Sequence, residues 1–286
     1  MIRVTKVASV FAAMAATSMF AAEHAEHAGV APTAAHLGGG LITNSMITSW
    51  VVAIVVVILV RLAVRKPKLV PSKGQAIVES IVQWVLDLTS PIVGSHIARK
   101  TFPLLIGLFV YILTQNWSGL FPGVGTITFK GEEFVRPGNA DLNGTLALAA
   151  VSMVAWFYFV TRYAGLGFLA KDLFGNKADP KEVPLYIYIP LFAVFFAVGI
   201  IEVISILVRP ISLSLRLFGN VFGGENLLHS MSAITRWGLP IPFYFLELLI
   251  GFVQALVFVL LVSVYIGLIC NHGGDEHGEG HGSGGH

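Results

Sequence analysis

A chain of 286 residues that is 55% hydrophobic and only 12% charged, with a mean hydropathy of +0.79, carries about half the charge of an ordinary soluble domain. That excludes a soluble globular protein and points to a polytopic α-helical membrane protein, because several apolar runs approach or exceed the roughly 20 residues that cross a bilayer as helix. A net charge of +2 is too small for a nucleic-acid partner, and the single cysteine, Cys270, excludes an intrachain disulfide.

The chain opens with Arg3 and Lys6, a short apolar run from Val7 to Phe20, and the small residues Ala21 and Ala22. This is a signal-peptide profile, so residues 1–22 are expected to be removed. Residues 23–41, rich in His, Gly and Ala, then face outward. The membrane domain is expected over 42–270, with spans at about 42–60, 102–121, 145–163, 185–232 and 243–270; the breaker "GLPIPF" separates the last two. Between the first two spans, 74–96 places Glu79 and Asp87 among apolar residues, which suits an amphipathic helix on the membrane surface. Residues 271–286 read as a disordered His/Gly-rich tail. Its His272, His277, His281 and His286 sit between glycines that cannot preorganise a metal site.

Positive charge sets the orientation. With the N-terminus outside, the inner segments hold Arg61, Arg65, Lys66, Lys68, Lys73, Arg99, Lys100, Arg162, Lys171, Lys177 and Lys181. The outer loops hold only Lys130, Arg136 and Arg236. This positive-inside bias places the N-terminus outside and the C-terminus in the cytoplasm.

The last two spans are too long for a bilayer. As continuous helices they would measure about 70 Å and about 42 Å, against a hydrocarbon core of about 30 Å. They must tilt steeply, bend or project, and Pro210 removes one backbone donor where a bend can form. Two antiparallel, steeply tilted helices would make a slab suited to a curved partner.

The fourth span also carries a polar stripe. At about 100° per residue, and with Glu202 set at zero, Ser205, Arg209, Ser212, Arg216 and Asn220 all fall within about 80° of one another, whereas Glu225 falls near 140°. On the last span Glu247 and Gln254 share a face, seven residues apart. For Ser205 and Ser212, hydrogen bonds within the helix explain a serine as well as any function, and Arg209 has the option of snorkelling to an interface. Arg216 has no carboxylate within reach on its own helix. An arginine at mid-bilayer depth costs about 2.5–3.5 kcal/mol on insertion scales, and intramembrane ionisable groups mark transport paths. No nucleotide site accompanies it: in "GSHIARKT" (94–101) Arg99 replaces the second glycine of a P-loop, and no nucleophile elbow or metal-ligand helix is present. The chain is therefore not read as catalytic by itself, and energy for transport comes from an ion gradient or another subunit.

Over roughly residues 70–270 the sequence resembles subunit a of the rotary F-type ATP synthases, the membrane stator beside the c-ring. The strongest piece is "RPISLSLRLFGNVFGGE" (209–225), and within it "SLSLRLFGN" (212–220). "TQNWSGLFPG" (114–123), "PGNADLNGTLALA" (137–149) and "FVQALVFVLLVSVYIGL" (252–268) follow the same family. The resemblance implies that Arg216 is the essential cation facing the ring carboxylates and separating two offset aqueous half-channels. It implies an outer proton path along Asn220, Glu225, Glu247 and Gln254, and a cytoplasmic path along Glu202 and Ser205. Several members carry histidine where this chain has Glu247, so two carboxylates at the entry would titrate as a coupled pair. The implied partners are the c-ring, the peripheral-stalk b subunits, the rest of the ATP synthase and the lipid membrane. No cofactor or metal is implied, the coupling ion being H⁺ or Na⁺, and the location is a bacterial plasma or inner membrane. Two other readings remain at this point. An independent secondary ion transporter would show internal repeats around a midplane site, and none is found; a non-conducting scaffold leaves Arg216 unexplained.

Overall fold

The computed structural model describes residues 36–37, 42–65, 67–121, 128–129, 132–133, 137–165, 167, 185–234 and 240–278. The expected signal peptide, most of the outward tail, and Lys171, Lys177 and Lys181 lie outside the described residues. Among the described residues six helices carry the fold. Two hairpins of two residues per strand accompany them, β1 (His36–Leu37) with β2 (Ile42–Thr43) and β3 (Thr128–Phe129) with β4 (Glu132–Glu133), both antiparallel.

Helix α1 (Asn44–Ala63) begins where extended Thr43 turns its hydroxyl to the Met46 N–H at 3.4 Å, satisfying one orphan donor of the first turn. It is buried only at Asn44, Ser45, Met46, Ser49 and Ala53, and leaves Ile54, Ile58, Leu59 and Leu62 exposed. Helix α2 (Lys73–Val93) is capped by Ser72 and divides into three faces. Gln75, Val85, Thr89 and Val93 pack inward, Ile77, Ile81 and Trp84 form an exposed apolar strip, and Glu79, Ser80, Gln83 and Asp87 an exposed polar one. Buried Gln75 donates to Glu79 of the polar strip at 2.8 Å, and within the strip Gln83 donates to Asp87 at 2.7 Å. All six helices are long and apolar enough to cross a membrane, but α2 has the lowest hydropathy, 1.4, and its divided outer surface is that of a helix at a polar–apolar boundary.

Gly94, at φ 93°, ends α2 and starts α3 (Ser95–Ser118). Side chains rarely adopt that backbone, so glycine allows one helix to stop and another to begin without a loop. Helix α3 thus starts before the span expected from 102, and Ile97, Ala98 and Thr101 are already buried in it. Helix α4 (Leu142–Tyr163) is capped by Asp141, which accepts from the Asn143 N–H at 3.0 Å and from Ser45 Oγ at 2.9 Å, tying α4 to the start of α1. A 3-10 turn, Gly138–Ala140, precedes it.

Helix α5 (Leu185–Ile234, 50 residues) and helix α6 (Pro240–Gly278, 39 residues) correspond to about 75 Å and about 58 Å. Helix α5 continues through Pro210. The expectation of a disordered segment from 271 is corrected here: Asn271–Gly278 extend α6. Adding residues to an existing helix needs no new nucleus, which lets a glycine-bearing segment follow a well-packed one. The side chains of His272 and His277, and all of 279–286, lie outside the described residues.

The core lies where α6 meets α3, α4 and α5: Leu108, Ile112, Val160, Leu213, Leu217, Phe258, Val262 and Ile266 are buried there. Trp84, Phe109 and Phe252 join α2, α3 and α6 through ring contacts at 5.8–6.1 Å. Gly267 lets α6 approach the end of α2 so closely that a Cβ would overlap the Ile92 carbonyl oxygen. Lipid is as apolar as leucine, so such close packing and the interhelical hydrogen bonds below hold the helices together.

Candidate functional site

Helices α5 and α6 run antiparallel, as three pairings show. The Arg209 guanidinium lies over the Tyr265 ring at 4.5 Å from its centroid. Asn220 Nδ2 donates to Gln254 Oε1 at 2.8 Å. Gly224 faces Glu247, so close that a Cβ at 224 would overlap the carboxylate. As numbers rise along α5, those of the partners on α6 fall.

These pairings resolve the polar stripe. Arg209 and Asn220 turn toward α6, whereas Ser205, Ser212 and Arg216 are exposed on the rim beside the seam. Arg216 makes no hydrogen bond or ion pair among the described residues. Its surroundings are apolar or small: Ile211 and Leu215 are exposed at 51% and 52%, and exposed Gly219 and Gly223 have open space where a Cβ would stand. A permanently charged guanidinium therefore sits on a bare, lipid-compatible face of a membrane helix.

On one side of Arg216 along α5 lie Asn220, Gly224 and Glu225, with Gln254 and Glu247 of α6 opposite. Gln254 is only 5% exposed, and with its Oε1 engaged by Asn220, its Nε2 donors have no partner among the described residues. A buried amide left unbonded costs about 1–3 kcal/mol. Glu247 and Glu225 are both half-buried; the former lies against Gly224 and the latter is the next residue along α5, turned about 100° away. On the other side of Arg216, half-buried Glu202 and exposed Ser205 lie one turn apart. They are about 21 Å and about 16 Å along the helix from Arg216. The six polar residues named around Arg216 thus form two groups that do not meet, with the arginine between them.

Sequence reasoning missed what places Glu247. Asn116 Nδ2 donates to the Gly251 carbonyl at 3.0 Å and Trp117 Nε1 to the Leu248 carbonyl at 3.1 Å, so α3 grips the backbone of α6 in the turn after Glu247. Asn139 Nδ2 in turn donates to Asn116 Oδ1 at 2.8 Å, and Gln115 accepts from the Gly138 N–H at 3.2 Å while donating to the Ser49 carbonyl at 3.3 Å. The signal was present: "TQNW" puts three polar-capable side chains in a row at the end of an apolar helix, and "GNAD" supplies the complementary groups. Gly224 carried no signal of its own, since its need is set by a residue 23 positions away.

Against known protein families, the model for the ATP synthase A chain matches residues 46–267, which takes in nearly all of α1, every element from α2 to α5, and α6 as far as Gly267.

Proposed function

The chain belongs to the ATP synthase A chain family and is an integral membrane-sector subunit involved in ion translocation, and on that premise we propose that it supplies two offset aqueous half-channels separated by Arg216. The observation that carries this reading is the exposed guanidinium on an apolar helix face with no acidic partner among the described residues.

The physics follows from charge and depth. A rotor carboxylate must be neutral to pass through lipid and ionised to exchange its ion with water. A fixed cation at Arg216 favours the ionised form beside it and repels protons that would otherwise leak between the two groups of polar residues. Arginine suits the position because it keeps its proton where a buried lysine readily loses it. Asn220, Glu225, Glu247 and Gln254 form the path from the outside, and the unsatisfied Gln254 amide supports a water-lined route there. Glu202 and Ser205 form the path to the cytoplasm. Each unit charge crossing 100 mV releases about 2.3 kcal/mol, which is the driving force. The coupling ion is H⁺, with Na⁺ the alternative; no cofactor takes part, and ATP is made on other subunits. The c-ring lies against the Arg216 face, with b subunits and lipid around the remaining helices. The N-terminus is outside and the C-terminus in the cytoplasm of a bacterial plasma or inner membrane, after loss of the leader.

The test is Arg216→Ala in the assembled enzyme. ATP-driven acidification of inverted vesicles is expected to fall to background while the subunit remains in the complex. Pumping at the parental rate would overturn the reading.

A further inference from the structure

Most hydroxyls on these helices bond back to their own backbone. Ser49, Thr89, Ser152 and Ser263 each donate to a carbonyl three or four residues earlier at 2.7–2.8 Å. Ser214 does not. Its Oγ lies 3.0 Å from Thr145 Oγ1 of α4, and both residues are fully buried. Thr145 has one hydroxyl proton, which goes to the Leu142 carbonyl at 3.0 Å, so Ser214 is the donor between the helices. The bond thus ties α5 to α4 through side chains alone.

Its place on the circumference of α5 gives it meaning. With Glu202 at zero, Asn220 projects near 0° toward α6, Ser214 near 120° toward α4, and Arg216 near 320°, beyond the α6 contact. Polar bonds therefore hold α5 on two flanks, one at Gln254 and one at Thr145. Apolar contacts alone fix the roll of a helix weakly, because lipid replaces a methyl neighbour at little cost. A roll of about 20° moves a side-chain tip by about 2 Å, and misplacing a reacting group by 1 Å can lower a rate about 100-fold.

We propose that Ser214 and Thr145 are positioning residues that set the roll of α5 and so the direction in which Arg216 faces. The proposal rests on the reading of Arg216 given above. It is tested in the intact synthase reconstituted into liposomes, with ATP-driven proton uptake measured per assembled complex. Thr145→Val and Ser214→Ala are each expected to lower pumping per complex about three- to tenfold, the range that interhelical hydrogen bonds in membranes support. The double variant is expected to be no better than either single one, and Thr145→Ser, which keeps the hydroxyl, to match the parent. Ser214→Ala removes a single oxygen and carries the test if Thr145→Val does not assemble. Parental pumping per complex in the single variants, or recovery in the double variant once neither hydroxyl is left alone, would overturn the proposal. Arg216→Ala run in parallel separates the two claims: if it still pumps, the reading of Arg216 fails; if it does not pump while the Ser214 and Thr145 variants do, only the positioning role fails.

Discussion

Arg209 and Arg216 are two turns apart on one helix and project within about 20° of each other, yet their surroundings are opposite. Arg209 lies over the ring of Tyr265, beside Trp156, Met153 and Leu213. Trp156 Nε1 donates to the Tyr265 carbonyl at 2.8 Å and holds that residue in place. Arg216 has exposed leucine and glycine around it and no bond within the described residues. The difference shows that residue type and helical phase do not decide what a membrane arginine does. What decides is whether the crossing helix presents something to receive the cation.

The sharpest way to break this comparison is to remove each arginine in turn. Arg216→Ala is expected to abolish ATP-driven pumping with assembly retained, whereas Arg209→Met should leave pumping per complex largely intact; equal loss in both, measured by vesicle acidification, would erase the distinction. Next in size, Gly224→Ala places a methyl group where the Glu247 carboxylate sits. Pumping should drop about tenfold, as displacement of a group by about 1 Å allows, with partial recovery when Glu247→Asp shortens the opposing side chain. A smaller effect is expected at the grip on α6. Asn116→Leu, which removes the hydrogen bond to the Gly251 carbonyl, should lower the thermal stability of the purified subunit by about 1 kcal/mol, read as a shifted melting transition. Smallest, Tyr265→Leu takes away the ring beneath Arg209. A loss of about 0.5–2 kcal/mol follows from the cation–π contact, visible in the same melting measurement with pumping per complex retained.

Much of the fold was legible because membrane helices announce themselves by length and apolarity. The run from Ile42 gave α1 almost directly, and the unusual length of the last two segments foretold α5 and α6. The start of α3 was less visible: Arg99 and Lys100 suggest a loop by charge, but Gly94 alone turns the chain, so the helix already contains them. The end of α6 was missed for a related reason, since composition describes a segment by itself and not as the continuation of a packed helix. At the site, Arg216, Asn220 and Gln254 stood out as polar groups in apolar runs. Gly224, Asn116 and Ser214 did not, because each matters only through a partner brought near by folding.

One further consequence follows from Gly219 and Gly223. Without side chains, one and two turns past Arg216, they leave a shallow trough along the face of α5. On the function proposed above, a rotor helix travelling over it would meet bare backbone there instead of branched side chains. In that role the stationary helix would need clearance as well as a charge, and the two lie on the same strip of α5.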